Sequence, residues 1–165
     1  MPWSTPPSPV ANVDNVSASH IVALSNDVSY LATRPVYHAA YQGTTSDYSI
    51  TTTTWTDVDA TNMIAPITVG IANSKVLVRF IFLVSSITGG STTVYFDVTD
   101  GTARSTGANN GVVITSIIGL ITVEAWFSGV AAGAKTYKLQ SQVSSGTTAV
   151  IKKNGFPIII HAEVK

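Results

Sequence analysis

The stretch Lys75-Val76-Leu77-Val78-Arg79-Phe80-Ile81-Phe82-Leu83-Val84 decides the architecture. Side chains alternate across a β-strand, so Val76, Val78, Phe80, Phe82 and Val84 share one face while Leu77, Arg79, Ile81 and Leu83 share the other. Both faces are apolar apart from Arg79. A strand with one solvated face carries polar residues there. This one predicts cover on both sides, once by the facing sheet of its own domain and once by a neighbouring molecule.

Outward from this strand, Val, Ile, Thr, Tyr, Phe and Trp dominate from Val36 to the end of the chain, with turn-forming clusters between the runs. The pattern predicts strands at Val36 to Gln42, Tyr48 to Thr56, Ile64 to Val69, Lys75 to Ile87, Thr92 to Thr99, Val112 to Phe127, Lys135 to Val143, Thr148 to Lys152 and Pro157 to Val164. Gly89-Gly90, Asp100-Gly101, Asn109-Asn110-Gly111, Ser145-Gly146 and Asn154-Gly155 tolerate positive φ and mark turns. Short strands with turn punctuation and no helical period between them predict an all-β fold, a jelly-roll β-sandwich over residues 35–165.

Residues 1–34 read differently. Four of the seven prolines, Pro2, Pro6, Pro7 and Pro9, fall in the first twelve positions and favour an extended arm, with Trp3 as an anchor for a partner's pocket. Ser17 caps a predicted helix from Ala18 to Ala32, which Arg34-Pro35 ends. Its 3-4-3 seam of Ile21, Leu24, Val28 and Leu31 needs either the sandwich or copies of itself, because so short a helix is marginal alone. Trp3, Ile21, Leu24, Val28 and Leu31 are therefore the candidate attachment and oligomer contacts.

A chain of 165 residues is long enough for one core and short for two. Charged residues make up only 11% of it, and nine basic side chains balance nine acidic ones. That excludes a broad field for recruiting nucleic acid or anionic membrane and leaves partners to be held by shape, apolar area and hydrogen bonds. With a mean hydropathy of +0.30, so weakly charged a surface is best protected when partner chains cover it. Cysteine is absent, which removes disulfides and thiolate metal sites. The opening residues lack the basic and apolar regions of a secretory signal, so folding in the cytoplasm is expected. The apolar run Val112 to Phe127 is interrupted by Thr115, Ser116, Gly119, Thr122 and Glu124, and reads as a buried strand rather than a membrane span.

Chemistry-bearing motifs are sparse. The chain has no GxSxG, GxGxxG, Walker A or HExxH pattern, and His20, His38 and His161 are scattered. Asp57-Val58-Asp59-Ala60-Thr61-Asn62 spaces carboxylates as calcium loops do, yet lacks the central glycine and terminal glutamate of an EF-hand, so an ordinary loop is the expectation. Glu124 is expected to reach solvent or pair with Arg79. Trp55, Trp126 and the tyrosines are too dispersed to define a sugar platform, although binding of a host surface glycan by the loops is a second reading. No catalytic residue, cofactor or metal is expected, and the chain is read as non-enzymatic.

The opening resembles that of small bacteriophage structural proteins of tail, head-fibre or minor virion type. The matching residues are Trp3-Ser4-Thr5-Pro6, Val16-Ser17-Ala18-Ser19, Asn26-Asp27-Val28-Ser29-Tyr30-Leu31 and Arg34-Pro35. It departs from them at Asn12 to Asn15, where those proteins carry a glycine, and at His20-Ile21. Thr54 to Val58, Ser74 to Val84, Gly133 to Leu139 and Phe156 to Ile160 are similar in strand length and turn position to jelly rolls of the tumour-necrosis-factor and C1q type. The resemblances imply a homotrimeric virion component, made in the host cytoplasm, that decorates or stabilises a capsid or forms a tail appendage. Its partners would be itself and capsid or tail proteins.

Overall fold

The computed structural model describes residues 21–22, 24–25, 34–90, 92–107 and 111–165. By its internal contacts the chain divides into Met1–Arg34 and Pro35–Lys165. In the first unit Ile21, Val22, Leu24 and Ser25 are helical. Trp3, Val28 and Leu31 lie outside the described residues.

The described residues of the second unit form β1 (Val36–Tyr41), β2 (Tyr48–Ile50), β3 (Thr56–Asp57), β4 (Ile64–Val69), β5 (Ser74–Gly89), β6 (Val94–Thr99), β7 (Val113–Thr115), β8 (Gly119–Val130), β9 (Gly133–Val143), β10 (Thr147–Lys152) and β11 (Ile158–Val164). β5 organises the first sheet. Along one edge it pairs with β10 and then β11, which run in line, and along the other with β8. β1 and β2 pair in turn with β11 and β10. In the second sheet β9 is central, flanked by β3 and β4 on one side and by β6, then β7, on the other.

Every one of these pairings is antiparallel, and they nest. The first strand pairs with the last, β4 with β9, β5 with β8, and β6 with β7. A chain folded double in this way and rolled into two facing sheets is a jelly roll, so strand pairing alone establishes the all-β jelly-roll sandwich.

The core lies between the sheets. Val76, Val78, Phe80, Phe82 and Val84 are wholly buried, as their alternation predicts, and so are Val94, Phe96, Val98 and Leu139 of the other sheet. Phe82 stands edge-to-face on Phe96 with ring centres 4.9 Å apart, and Phe127 packs on Tyr137 at 4.6 Å. Burying Phe82 and Phe96 contributes about 1.5–3 kcal/mol each, which helps set the facing and therefore the register of both sheets. At one end, β5 turns away at Gly89, where φ is +111° and a Cβ would sit 1.9 Å from the Gly146 carbonyl oxygen. Only glycine permits the two turns to approach this closely.

Two predicted strands are corrected. Tyr48 to Thr56 is not continuous: Thr51 to Thr54 form an exposed connection between β2 and β3, because the chain leaves one sheet for the other there. Val112 to Phe127 is likewise not one buried strand. It divides into β7 and β8, which belong to different sheets, and the crossing leaves Ile117 and Ile118 exposed. No described helix is long and apolar enough to cross a membrane.

Candidate assembly face

Cross-strand neighbours share a face, so the pairings above assemble the outward side of the β5 sheet row by row. Reading from β1 through β11 and β5 to β8, one row is Val36, Glu163, Leu77 and Trp126. The next is His38, His161, Arg79 and Glu124, and the third is Ala40, Ile159, Ile81 and Thr122. Leu83 opposite Leu120 extends the face beyond them. The most polar row, His38 to Glu124, thus lies between rows that are largely aliphatic and aromatic but also carry Glu163, Thr122 and, opposite Leu83, Lys152. Leu120 is 62% exposed and Trp126 49%, although both occupy a long, regularly paired strand. Ile117 and Ile118 lead into the same edge and are exposed too.

The polar row is internally matched. Arg79 donates from Nε to Glu124 Oε2 at 2.9 Å and also from a terminal guanidinium nitrogen, which holds the Glu124 carboxyl below its ordinary range. Pairing of Arg79 with Glu124 is the arrangement the sequence suggested. Glu163 is also held low, by Lys165 at 2.5 Å, and lies 3.7 Å from His161 Nε2. The rings of His38 and His161 are 6.1 Å apart, centre to centre. Both imidazoles are brought together by the pairing of the first strand with the last.

The remaining carboxylate clusters fix the fold. Asp97 on β6 is fully buried and accepts hydrogen bonds from the Val98 amide at 2.7 Å, from the Ser105 and Thr106 hydroxyls, and from Arg104 at 3.3 Å. It pins the loop after β6 over the outer side of its sheet. Arg104 also lies over the Trp55 ring, 4.2 Å from its centre. An open cleft of about 480 Å³ borders these residues and Gln140, but the Trp55 face that a sugar ring would stack on carries the guanidinium.

In the stretch with calcium-like spacing, Asp57 pairs with Lys138 and Gln140, each at 2.9 Å. Asp59 accepts from the Tyr48 hydroxyl, from the amides of Thr61 at 2.8 Å and Asn62 at 3.0 Å, and from Asn62 Nδ2 at 2.8 Å. Protein donors thus occupy both carboxylates. Among the described residues no group of three or more metal-ligating side chains converges.

Burial works against ionisation of Asp59, but these donors outweigh it and hold its pKa at about 2. Burial, then the Asp59 carboxylate, push the Tyr48 hydroxyl well above the ordinary tyrosine range. The Asp59 contribution to stability is fully present above pH 3.8, the unperturbed value, and is lost as pH falls towards 2. Tyr48→Phe removes one donor and weakens that dependence. Urea midpoints at pH 7 and pH 2.5 are expected to differ less in the variant than in the wild type.

Of the candidate contacts read from the sequence, Ile21 and Leu24 are helical and 60% and 67% exposed. The sheet-face residues His38, His161, Leu120 and Trp126 were not among those candidates. Alternation around Val36, His38 and Ala40 would have indicated a shared face, but only long-range pairing reveals what lies opposite.

No protein-family model and no curated protein sequence matches the chain. Among solved structures it is similar to one titled "Structure of Eiger TNF from S. frugiperda", at 13% identity and a TM-score of 0.35, covering 79% of this chain and 93% of that one. At that level of likeness the jelly-roll assignment rests on the strand pairing itself.

Proposed function

We propose that this chain is a non-enzymatic structural protein of a bacteriophage virion, a homotrimer whose sandwiches pack through the β5 sheet face and whose N-terminal arm attaches to capsid or tail. The observation that carries the reading is the group of exposed apolar side chains along β8 and the crossing into it, Ile117, Ile118, Leu120 and Trp126, on the outward face of a well-paired sheet. Isolated apolar residues on a surface are ordinary, whereas a contiguous field on a sheet marks a contact.

Two features need cover at once: this face and the outer edge of β8, a twelve-residue strand whose partner is β5. A contact of one copy's edge on the next copy's face covers both. Such a contact is heterologous, and the smallest ring it closes has three members. The virion placement is supported by the opening from Trp3 to Pro6 and by the proline-rich arm.

Mass spectrometry of purified particles tests the placement. The protein is expected in the virion at a copy number divisible by three, and deletion of residues 1–16 is expected to release it from particles while the trimer persists. Absence from particles would overturn the virion assignment.

A further inference from the structure

We infer that the cleft at the end of the sandwich where β8 turns into β9 binds a single sugar ring, held through its hydroxyls by Tyr137, Lys135 and Asp100. The site is separate from the assembly face. Trp126 and Phe127 point to opposite sides of β8, and one copy of the chain supplies the whole lining of the cleft.

The cleft encloses about 220 Å³. Phe127 of β8 and Tyr137 of β9 line it, and Lys135 stands two residues before Tyr137 on the same side of β9. The turn of residues 128–131 borders it, while Asp100 and Thr102 reach it from the loop after β6. Clefts for drug-sized molecules run to roughly 300–1,000 Å³, so this one takes one ring rather than a peptide.

Tyr137 is the residue whose chemistry calls for a ligand. It is 1% exposed, and its ring packs tilted against Phe127. Among the described residues nothing forms a hydrogen bond with its hydroxyl. Buried polar groups almost always have a partner, and this one has only the cleft to supply it. Burial, then the negative charge of Asp100, pushes its pKa up to about 12, so it stays an O–H that can donate and accept. Asp100 is itself on the cleft, and its influence places the hydroxyl end of the ring there.

The neighbouring charges define the ligand further. Asp100 Oδ1 accepts from the amides of Thr102 and Ala103, both at 2.8 Å, and its Oδ2 has no partner among the described residues. The Lys135 ammonium has none among them either, so opposite charges border one small cleft without pairing. A ligand with a net charge is attracted by one and repelled by the other. A neutral molecule with adjacent hydroxyls suits both: one hydroxyl donates to Asp100 Oδ2, its neighbour accepts from Lys135 Nζ, and another pairs with the Tyr137 hydroxyl. Each such hydroxyl donates and accepts as water does, so it meets these groups at little loss of solvation. Half-buried Phe127 offers an apolar surface to the C–H groups of the ring.

Saturation-transfer NMR of the full chain at pH 7.5 tests this, with the methyl pyranosides of glucose, galactose, mannose, rhamnose and N-acetylglucosamine as probes and L-alanine, a small zwitterion, as control. At least one pyranoside is expected to bind, with a roughly millimolar Kd on titration. Tyr137→Phe and Lys135→Met each remove one donor and are expected to weaken that binding about tenfold. In the absence of sugar, the urea midpoint of Tyr137→Phe is expected to equal or exceed that of wild type, because the hydroxyl has no partner in the fold to lose. A lower midpoint would show that the hydroxyl serves the fold and would overturn the inference. So would transfer to none of the pyranosides, transfer to L-alanine in their place, or binding that both variants leave unchanged. None of these results bears on the trimer.

Discussion

Asp97→Ala is expected to lower the stability of the sandwich by roughly 3–5 kcal/mol, the loss that follows when one partner of a buried ionic network is removed. The carboxylate is wholly buried and gathers a backbone amide, two hydroxyls and a guanidinium. Alanine leaves those donors without their acceptor beneath the loop that follows β6, and each buried donor so stranded costs about 1–3 kcal/mol unless water reaches it. Loosening the loop also frees Arg104 from its position over Trp55, so indole fluorescence should change along with the unfolding midpoint. Asp97→Asn keeps an acceptor for the hydroxyls but presents an amide to Arg104, and should fall between wild type and alanine. Urea denaturation measures all three. A loss below 1 kcal/mol for the alanine variant would show that the loop is held by other contacts.

The inward half of the fold was legible because it obeys one local rule. Alternation placed Val76, Val78, Phe80, Phe82 and Val84 on a single buried face, and glycine turns such as Gly89 marked where strands end. Two kinds of error show where local rules stop. Thr51 to Thr54 have strand-forming side chains yet bridge the two sheets, and Ile117-Ile118 are apolar yet exposed at another crossing. Propensity reports which residues suit a sheet, not which sheet they join, and the point of transfer is set by packing of the whole sandwich.

The candidate face was half legible. Leu77, Ile81 and Leu83 announced an apolar outward side of β5 from their sequence alone. The histidines did not announce themselves, since His38 and His161 are separated by most of the chain and meet only because β1 pairs with β11. Leu120 and Trp126 read as core for a related reason. Hydropathy does not distinguish a side chain buried by its own domain from one exposed on its surface.

Sedimentation equilibrium at micromolar concentration and pH 7.5 tests the central claim directly, using wild type beside the double variant Leu120→Lys, Trp126→Lys. Both positions are exposed in the single chain, so the substitutions should alter the sandwich itself by only about 0.5 kcal/mol each. On the edge strand β8, however, they place two ammonium groups per copy where the next copy must pack, the same device by which natural edge strands refuse partners. The account predicts a wild-type species of three times the 17.3 kDa chain mass and a folded variant at the chain mass. A wild type at 17.3 kDa, or a variant still three times that mass, would contradict it.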